Sequence, residues 1–558
     1  MEKQWSSSIK HLSQRGGQLR ALVCGPKASG KSTFSRYLLN HLLSPAPSTE
    51  GGNNASDGVA FLDLDPGQPE FSPMGQVYLA HLRSPFFGPP FTHPTLDNSN
   101  NSNNENTADG YVHRAHHIGA TSPKDDPDHY VLAATDLMDR YRSLLATYPQ
   151  CPLIINYPGW IFGLGLEVAS WLVKTLGLSD VVYMSEKGPA EVIEPLAQAA
   201  YEARVALTTL PSQPTDFVSR SSAQLRTMQI QSYFHQTQPD SVRNPVWLET
   251  PTSRARPILV DYAGRHQQQQ QGIQGVMVLG SQLQHPDLLH DVLDGSLVGI
   301  VAVEKKSLSS ILGYRQPDSM DTTNEDVSAD TDDMHDPHKQ SDVSPATTTT
   351  TAAMEAYITR TTRENLPYLF TGSGSCTPPD PKTSRCLGLA LVRSINVSTQ
   401  KLELVTPVSG AKIRQALDEL DNRPGGGGII LVRGQLDNPN WAISEEYYAA
   451  RTALQRYQRR VTQARKSKHG NVHAIEAESA SASASQSESE NDQDTNLLDS
   501  TQQTQITDTL RDRLQRASQA PWMTVVEDDS RRQREAARRE RSLWKLRKRA
   551  YPGSESET

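Results

Sequence analysis

Short apolar runs alternate with helix-period segments through the first half of the chain. Residues 21–24 (ALVC) read as a buried strand entering a glycine-rich turn, followed by a helix over about 31–43. A polar gap precedes a second strand from Val59 to Leu64. Between Tyr130 and Tyr148, apolar residues at Leu132, Leu137, Met138, Tyr141, Leu144 and Leu145 repeat at helical spacing. Further strands are expected at 153–156 (LIIN), 181–184 (VVYM) and 205–210 (VALTTL), with helices around 166–176 and 221–234. Strand and helix alternating in this order predict an α/β fold, a parallel sheet with helices on both faces.

From about residue 256 the pattern changes to strands separated by turns: PILVDYAG, GVMVLG, SLVGIVAVEK, CLGLALVRSINV, KLELVTPV and GGIILVRG. A smaller β-rich domain is expected there. Segments without apolar runs cannot offset their chain entropy. The expected disordered segments are 97–109, an Asp/Ser/Thr-rich insert at 315–352, and most of 456–558. The expected organisation is a short leader (1–20), an α/β domain (21–250), a β-rich domain (251–455) and a tail (456–558) that carries a basic run at 531–549.

Composition changes this picture little. The net charge of −8 argues against a chain that coats nucleic acid over its whole surface, though a local basic groove remains compatible with it. The four cysteines (Cys24, Cys151, Cys376, Cys386) show neither a zinc spacing nor a disulfide framework, which suits a reducing compartment. No run of about 18 apolar residues is present, so a soluble, intracellular chain with no membrane partner is expected.

The strongest chemical signal is Gly25-Pro26-Lys27-Ala28-Ser29-Gly30-Lys31-Ser32, followed by Thr33. Glycines at both ends let the loop turn tightly, so that backbone N–H groups face phosphate oxygens at a helix N-terminus. In such a loop Lys31 reaches the β- and γ-phosphates and the Ser32 hydroxyl suits Mg²⁺. Next comes Asp63-Leu-Asp65-Pro-Gly67-Gln68-Pro-Glu70 at the end of the second strand, where ligands bind in open α/β sheets. Strand spacing of two would put Asp63 and Asp65 on one side, one serving a metal and the other accepting a proton. An Asp-Pro-Gly turn that merely closes the strand is the bland alternative.

These two motifs, in this order, resemble the polynucleotide 5′-hydroxyl kinase family, in particular its fungal-type branch in nucleolar pre-rRNA processing. Three further segments are similar to family motifs. Gly119-Ala-Thr121-Ser122-Pro123 resembles a clasp on the first nucleotides of RNA, Asn156-Tyr-Pro-Gly159-Trp160 an RNA-facing loop, and Arg220 to Arg226 a lid whose arginines cover the transferred phosphate. Read without the resemblance, these are equally an ordinary turn, a core aromatic and two solvated arginines.

The resemblance implies a P-loop kinase-type fold and transfer of phosphate from ATP, with Mg²⁺, to RNA 5′-hydroxyl ends. In that reading Lys31, Asp65, Arg220 and Arg226 are catalytic, and residues 25–33 bind the nucleotide. Ser32 and Asp63 serve the metal, while Gln68, Thr121, Ser122, Pro123 and Trp160 meet RNA. It also implies a nuclear, nucleolar location and an endonuclease partner held by the C-terminal region. There the run 531–549 has ten Lys/Arg with Leu543, Trp544 and Leu546 as an apolar handle, although a nuclear localisation signal or a solvated tail reads as well.

Two features depart from the family pattern. Only twenty residues precede the first strand, where the family places an adenine- and RNA-holding domain, so a chain lacking that domain is expected. Tyr157-Pro158 stands where a small polar residue is usual. The rival reading is a scaffold that binds ATP without turning it over. A GTPase is disfavoured, because no Asn-Lys-x-Asp segment is present.

Overall fold

The structure, a computed structural model, describes residues 2–44, 57–96, 110–185, 188–213, 220–237, 246–263, 272–280, 285–312, 358–370, 377–423, 425–474 and 500–518. The expected disordered inserts 97–109 and 315–352 and the basic run 531–549 lie outside the described residues.

The first sheet is built from β1 (Arg20–Cys24), β2 (Val59–Asp63), β3 (Gln76–Leu82), β4 (Gly110–His117), β5 (Leu153–Asn156), β6 (Asp180–Met184) and β7 (Ala206–Leu210), in the order β4-β3-β2-β5-β1-β6-β7. The five strands from β2 to β7 in that order run parallel. β3 and β4 add an antiparallel edge that the apolar runs did not announce. Alternation along β1 sends Leu22 and Cys24 to one face and Ala21 and Val23 to the other, and each face meets its own core.

Helices cover both faces. These are α1 (Lys3–Ser13), α2 (Lys31–Leu43), α3 (Pro127–Leu144), α4 (Leu164–Thr175) and α5 (Ala190–Ala203); α6 (Ser222–His235) packs instead with Leu297, Leu389 and Leu391 from the second half of the chain. α3, α4 and α5 supply one core; α1 and α2 supply the other. The leader is therefore not a plain leader. Trp5, Ile9 and Leu12 recur at i, i+4 and i+7, are buried, and seat α1 on the α2 side of the sheet.

After the short pair β8 (Gln236–Thr237) and β9 (Val246–Trp247), a second sheet follows. It comprises β10 (Ile258–Asp261), β11 (Gly275–Val278), β12 (Leu297–Glu304), β13 (Thr359–Arg360), β14 (Pro367–Tyr368), β15 (Ser384–Asn396), β16 (Lys401–Val405) and β17 (Gly427–Arg433). Their order is β10-β16-β15-β12-β17-β11-β14-β13. Among the described residues α7 (Leu289–Leu293), α8 (Lys305–Ile311) and α9 (Gly410–Asp421) accompany it.

Met1–Trp441 form one compact unit, so the two sheets are not separate bodies. Arg114 of β4 ties them: its guanidinium donates to the carbonyls of Pro381, Lys382 and Ser384 and pairs with Asp136 of α3 at 2.8 Å. The second unit, Ala442–Thr558, contains most of α10 (Asn440–Ala474) and α11 (Ser500–Ser518), joined by Arg513 to Glu446 at 2.8 Å. Part of the expected disordered tail is thus helical. Its Ala, Gln, Arg and Lys content suits a helix even without a dense apolar stripe. Among the described residues no helix is long and apolar enough to cross a membrane, and Cys24, Cys151 and Cys386 are buried free thiols.

Candidate active site

Parallel pairing sets Val23 opposite Asn156, and Asn156 opposite Asp63. The C-terminal ends of β1, β5 and β2 therefore open on one edge, and the glycine-rich loop leaves β1 there. The loop takes left-handed backbone at Ala28 (φ 61°) and Gly30 (φ 97°). Gly30 is the N-cap of α2, and no side-chain oxygen occupies the first-turn amides, which leaves them for an anion.

Lys31 is buried, and its Nζ donates to the Pro26 carbonyl at 2.8 Å. Burial lowers its pKa, while the charge of Asp65 works in the opposite direction. The Ser32 hydroxyl donates to Asn156 Oδ1 at 3.5 Å, and Asn156 Nδ2 donates to Asp63 Oδ1 at 2.9 Å.

Asp63 is not the open metal carboxylate its sequence suggests. It is fully buried, and its two oxygens accept from Asp65 N, Asn156 Nδ2, Glu70 N and the Tyr78 hydroxyl at 2.8–3.1 Å. Burial first, and then the charge of Asp65, push it up to about 7, against the pull of these donors. It reaches Ser32 only through Asn156. The spacing-of-two inference also fails at this point, because β2 ends at Asp63 and Asp65 lies beyond the strand in the turn. There Asp65 Oδ1 accepts from Gly67 N (2.9 Å) and Gln68 N (3.3 Å), a side-chain-closed turn that leaves the carboxylate half-exposed.

The turn is fixed from behind. Glu70 binds Arg36 of α2 at 2.8 Å and His93 at 3.0 Å, all but Arg36 deeply buried. In front, the Gly67 backbone comes so near the turn after β4 that a Cβ there would lie 2.7 Å from the Thr121 carbonyl. Thr121 and Ser122 are half-exposed, as an RNA contact requires, but Pro123 is buried and cannot make one.

The segment after β5 packs on the phosphate loop, since a Cβ on Gly159 would stand 3.0 Å from Lys27 Cα. Tyr157, the departure from the family pattern, is internal and donates to the Gly165 carbonyl at 2.8 Å. Trp160 is partly buried against the core, its ring over Gly165, and the open ring of this segment is Phe162 at 55% exposure. Sequence reasoning named the former and missed the latter.

Arg220 is exposed one residue before Ser221, the N-cap of a capping box that starts α6, and Arg226 lies in the second turn. Among the described residues neither makes a hydrogen bond or ion pair. No direct contact joins either to the phosphate loop. Their helix does touch the Asp65 turn: Gln229 Nε2 donates to the carbonyls of Pro69 (2.5 Å) and Ser72 (2.8 Å).

Sequence reasoning also missed Trp5. Its ring lies against the loop, 2.8 Å from where a Gly30 Cβ would be, and its Nε1 donates to the Pro211 carbonyl at 2.9 Å. Two residues on, Gln213 N donates to Ser29 O at 2.9 Å.

A family model described as mRNA cleavage and polyadenylation factor CLP1 P-loop matches residues 25–236. The polynucleotide 5′-hydroxyl-kinase grc3 of Aspergillus clavatus is 64% identical over 568 residues, covering 100% of this chain and 63% of that protein. Over its whole length the chain is similar to proteins named polynucleotide 5′-hydroxyl-kinase. The relative of the same name from Emericella nidulans is 54% identical over 100% of this chain and 62% of its own length. That from Gibberella zeae is 34% identical over 79% of this chain and 53% of its own. The chain thus spans about 63% of the length of the first of these kinase-family relatives. Among solved structures, a wild-type Clp1p–Pcf11p complex aligns with 77% of this chain and 78% of that one, at 16% identity and a TM-score of 0.45.

Proposed function

We propose that this protein transfers the γ-phosphoryl group of ATP to the 5′-hydroxyl end of RNA, using Mg²⁺. The observation that carries the reading is the phosphate loop, with buried Lys31 and the uncapped first turn of α2, opening on the same sheet edge as the Asp65 turn after β2. The names of the relatives support the acceptor.

The residues fit a magnesium ion: the Ser32 hydroxyl is a hard oxygen donor at the loop, oriented by Asn156. When bound, Mg²⁺ neutralises charge on the β- and γ-phosphate oxygens. Lys31 and the loop amides hold the same oxygens from the protein side. The RNA 5′-oxygen attacks the γ-phosphorus as the bond to the β–γ bridging oxygen breaks. Its proton passes to Asp65, and ADP leaves. Arg220 and Arg226 meet the transferring group with charge that no described residue neutralises, and keeping both is hard to reconcile with an inert scaffold. Phosphate transfer to an RNA with a free 5′-hydroxyl, and none to the same RNA already 5′-phosphorylated, tests this directly. Equal labelling of both would sink it.

We further propose a role in pre-rRNA spacer processing in the nucleus and nucleolus, with an endonuclease partner captured by the C-terminal region. The basic run 531–549 with Leu543, Trp544 and Leu546 supports this reading. Deleting 531–558 should abolish nuclear accumulation or partner capture while short RNAs are still phosphorylated. Retention of both would remove the proposal.

A further inference from the structure

Helix α6 carries Arg226, Gln229 and Tyr233 at i, i+3 and i+7, one stripe of its surface. The two lower positions are bolted to different parts of the protein. Gln229 is buried and spends its amide nitrogen on the Pro69 and Ser72 carbonyls, in the turn that begins with Asp65. Tyr233 is buried against the second sheet. There, β15 and β12 lose register between Ile300 and Val301, so that Leu387 is an extra residue in β15. The Tyr233 hydroxyl docks beside this bulge, accepting from Leu389 N at 2.9 Å and donating to Leu389 O at 3.2 Å. Gly388 makes room for it: with φ 154°, its Cβ would lie 2.5 Å from the hydroxyl oxygen.

Two anchors on one stripe fix both the rotation and the height of a helix. Arg226 lies one turn from Gln229, so its guanidinium inherits that placement. A cavity of about 50 Å³ adjoins the tie, lined by Phe71, Gln76, Gln236 and Gly388 among others, while Ile230, Tyr233 and Phe234 pack beside it against Leu389, Leu391 and Val405.

We propose that Gln229 and Tyr233 are positioning residues for phosphoryl transfer: through them the Asp65 turn and the bulge of β15 hold Arg226 in register with the reacting phosphate. This rests on the kinase reading above. It gives the second sheet a task in the reaction.

The test places Tyr233→Phe and Gln229→Met, each alone, in the parent chain and in an Arg226→Ala background. In the parent, each should lower kcat by about tenfold with the KM for ATP changed by less than about twofold, since the lost placement matters in the transition state. With Arg226 already removed, neither should cost anything more. Equal losses in both backgrounds, or an unchanged kcat, would overturn the proposal. A parent chain that transfers no phosphate would refute the kinase reading by itself. The anchor is then read from amide hydrogen exchange over residues 225–230: faster exchange in both variants upholds it, and unchanged exchange overturns it.

Discussion

Replacing Trp5 by alanine should damage the fold and the phosphate loop together. The indole is 4% exposed, meets Phe34 edge-on at 5.7 Å between ring centres, and donates to the Pro211 carbonyl. Truncating a buried tryptophan costs about 3–5 kcal/mol through lost transfer energy and the cavity left behind. Leaving the Pro211 carbonyl without its donor adds about 1 kcal/mol. A loss of roughly 4–6 kcal/mol is therefore expected from these two sources. Trp5→Phe keeps the ring packing and loses the donor, so it should cost only about 1–2 kcal/mol. Urea unfolding followed by far-ultraviolet circular dichroism measures both, because that signal does not depend on the tryptophan being replaced. The ring also braces Gly30, and Pro211 leads to the Gln213–Ser29 bond, so Trp5→Ala should weaken ATP binding as well. A Trp5→Ala variant within about 1 kcal/mol of the parent, below any buried tryptophan, would refute the packing of α1 on the loop.

Arg220→Ala and Arg226→Ala should each lower single-turnover rates by about 10³ while ATP affinity stays nearly constant, as for other transition-state arginines; unchanged rates would favour the inert scaffold. Glu70 should govern part of the acid limb of stability. Burial alone would raise its pKa, but His93 and Arg36 hold it below its ordinary 4.5. Its contribution is thus full above 4.5 and is lost as pH falls through the lowered folded value. Glu70→Gln should cost about 3 kcal/mol at neutral pH and flatten that limb; parallel stability curves for parent and variant would contradict this.

Much of the α/β core was legible because its strands are short apolar runs and its phosphate loop is a fixed spacing between β1 and α2. Other elements carried weaker signals. α1 shows its stripe in only three residues, Trp5, Ile9 and Leu12, among polar neighbours. α5 contains Pro195, which argues against a helix when read alone. β3 and β4 are joined through a chain segment that reads as a low-complexity insert, which hid the antiparallel edge.

The site divides in the same way. Residue types at the loop can be read from spacing, but hydrogen-bond partners cannot. Nothing local marks Asp63 as the acceptor for Tyr78 and Asn156, fifteen and ninety-three positions away. Nor does spacing tell Trp160, lying over Gly165, from exposed Phe162. The second sheet was expected as a separate domain, and the contacts that make it part of the lid anchor arise only when β15 meets Tyr233.

Incubating the chain and its Lys31→Ala variant with γ-labelled ATP and a 5′-hydroxyl RNA oligonucleotide tests the central claim most directly. Lys31 is the buried lysine of the phosphate loop, at the first position of α2. The account predicts label on the RNA 5′ end with the parent chain and none above background with Lys31→Ala. Label transferred by the variant at more than about a tenth of the parent rate, too small a loss for a group that neutralises the γ-phosphate, would contradict it.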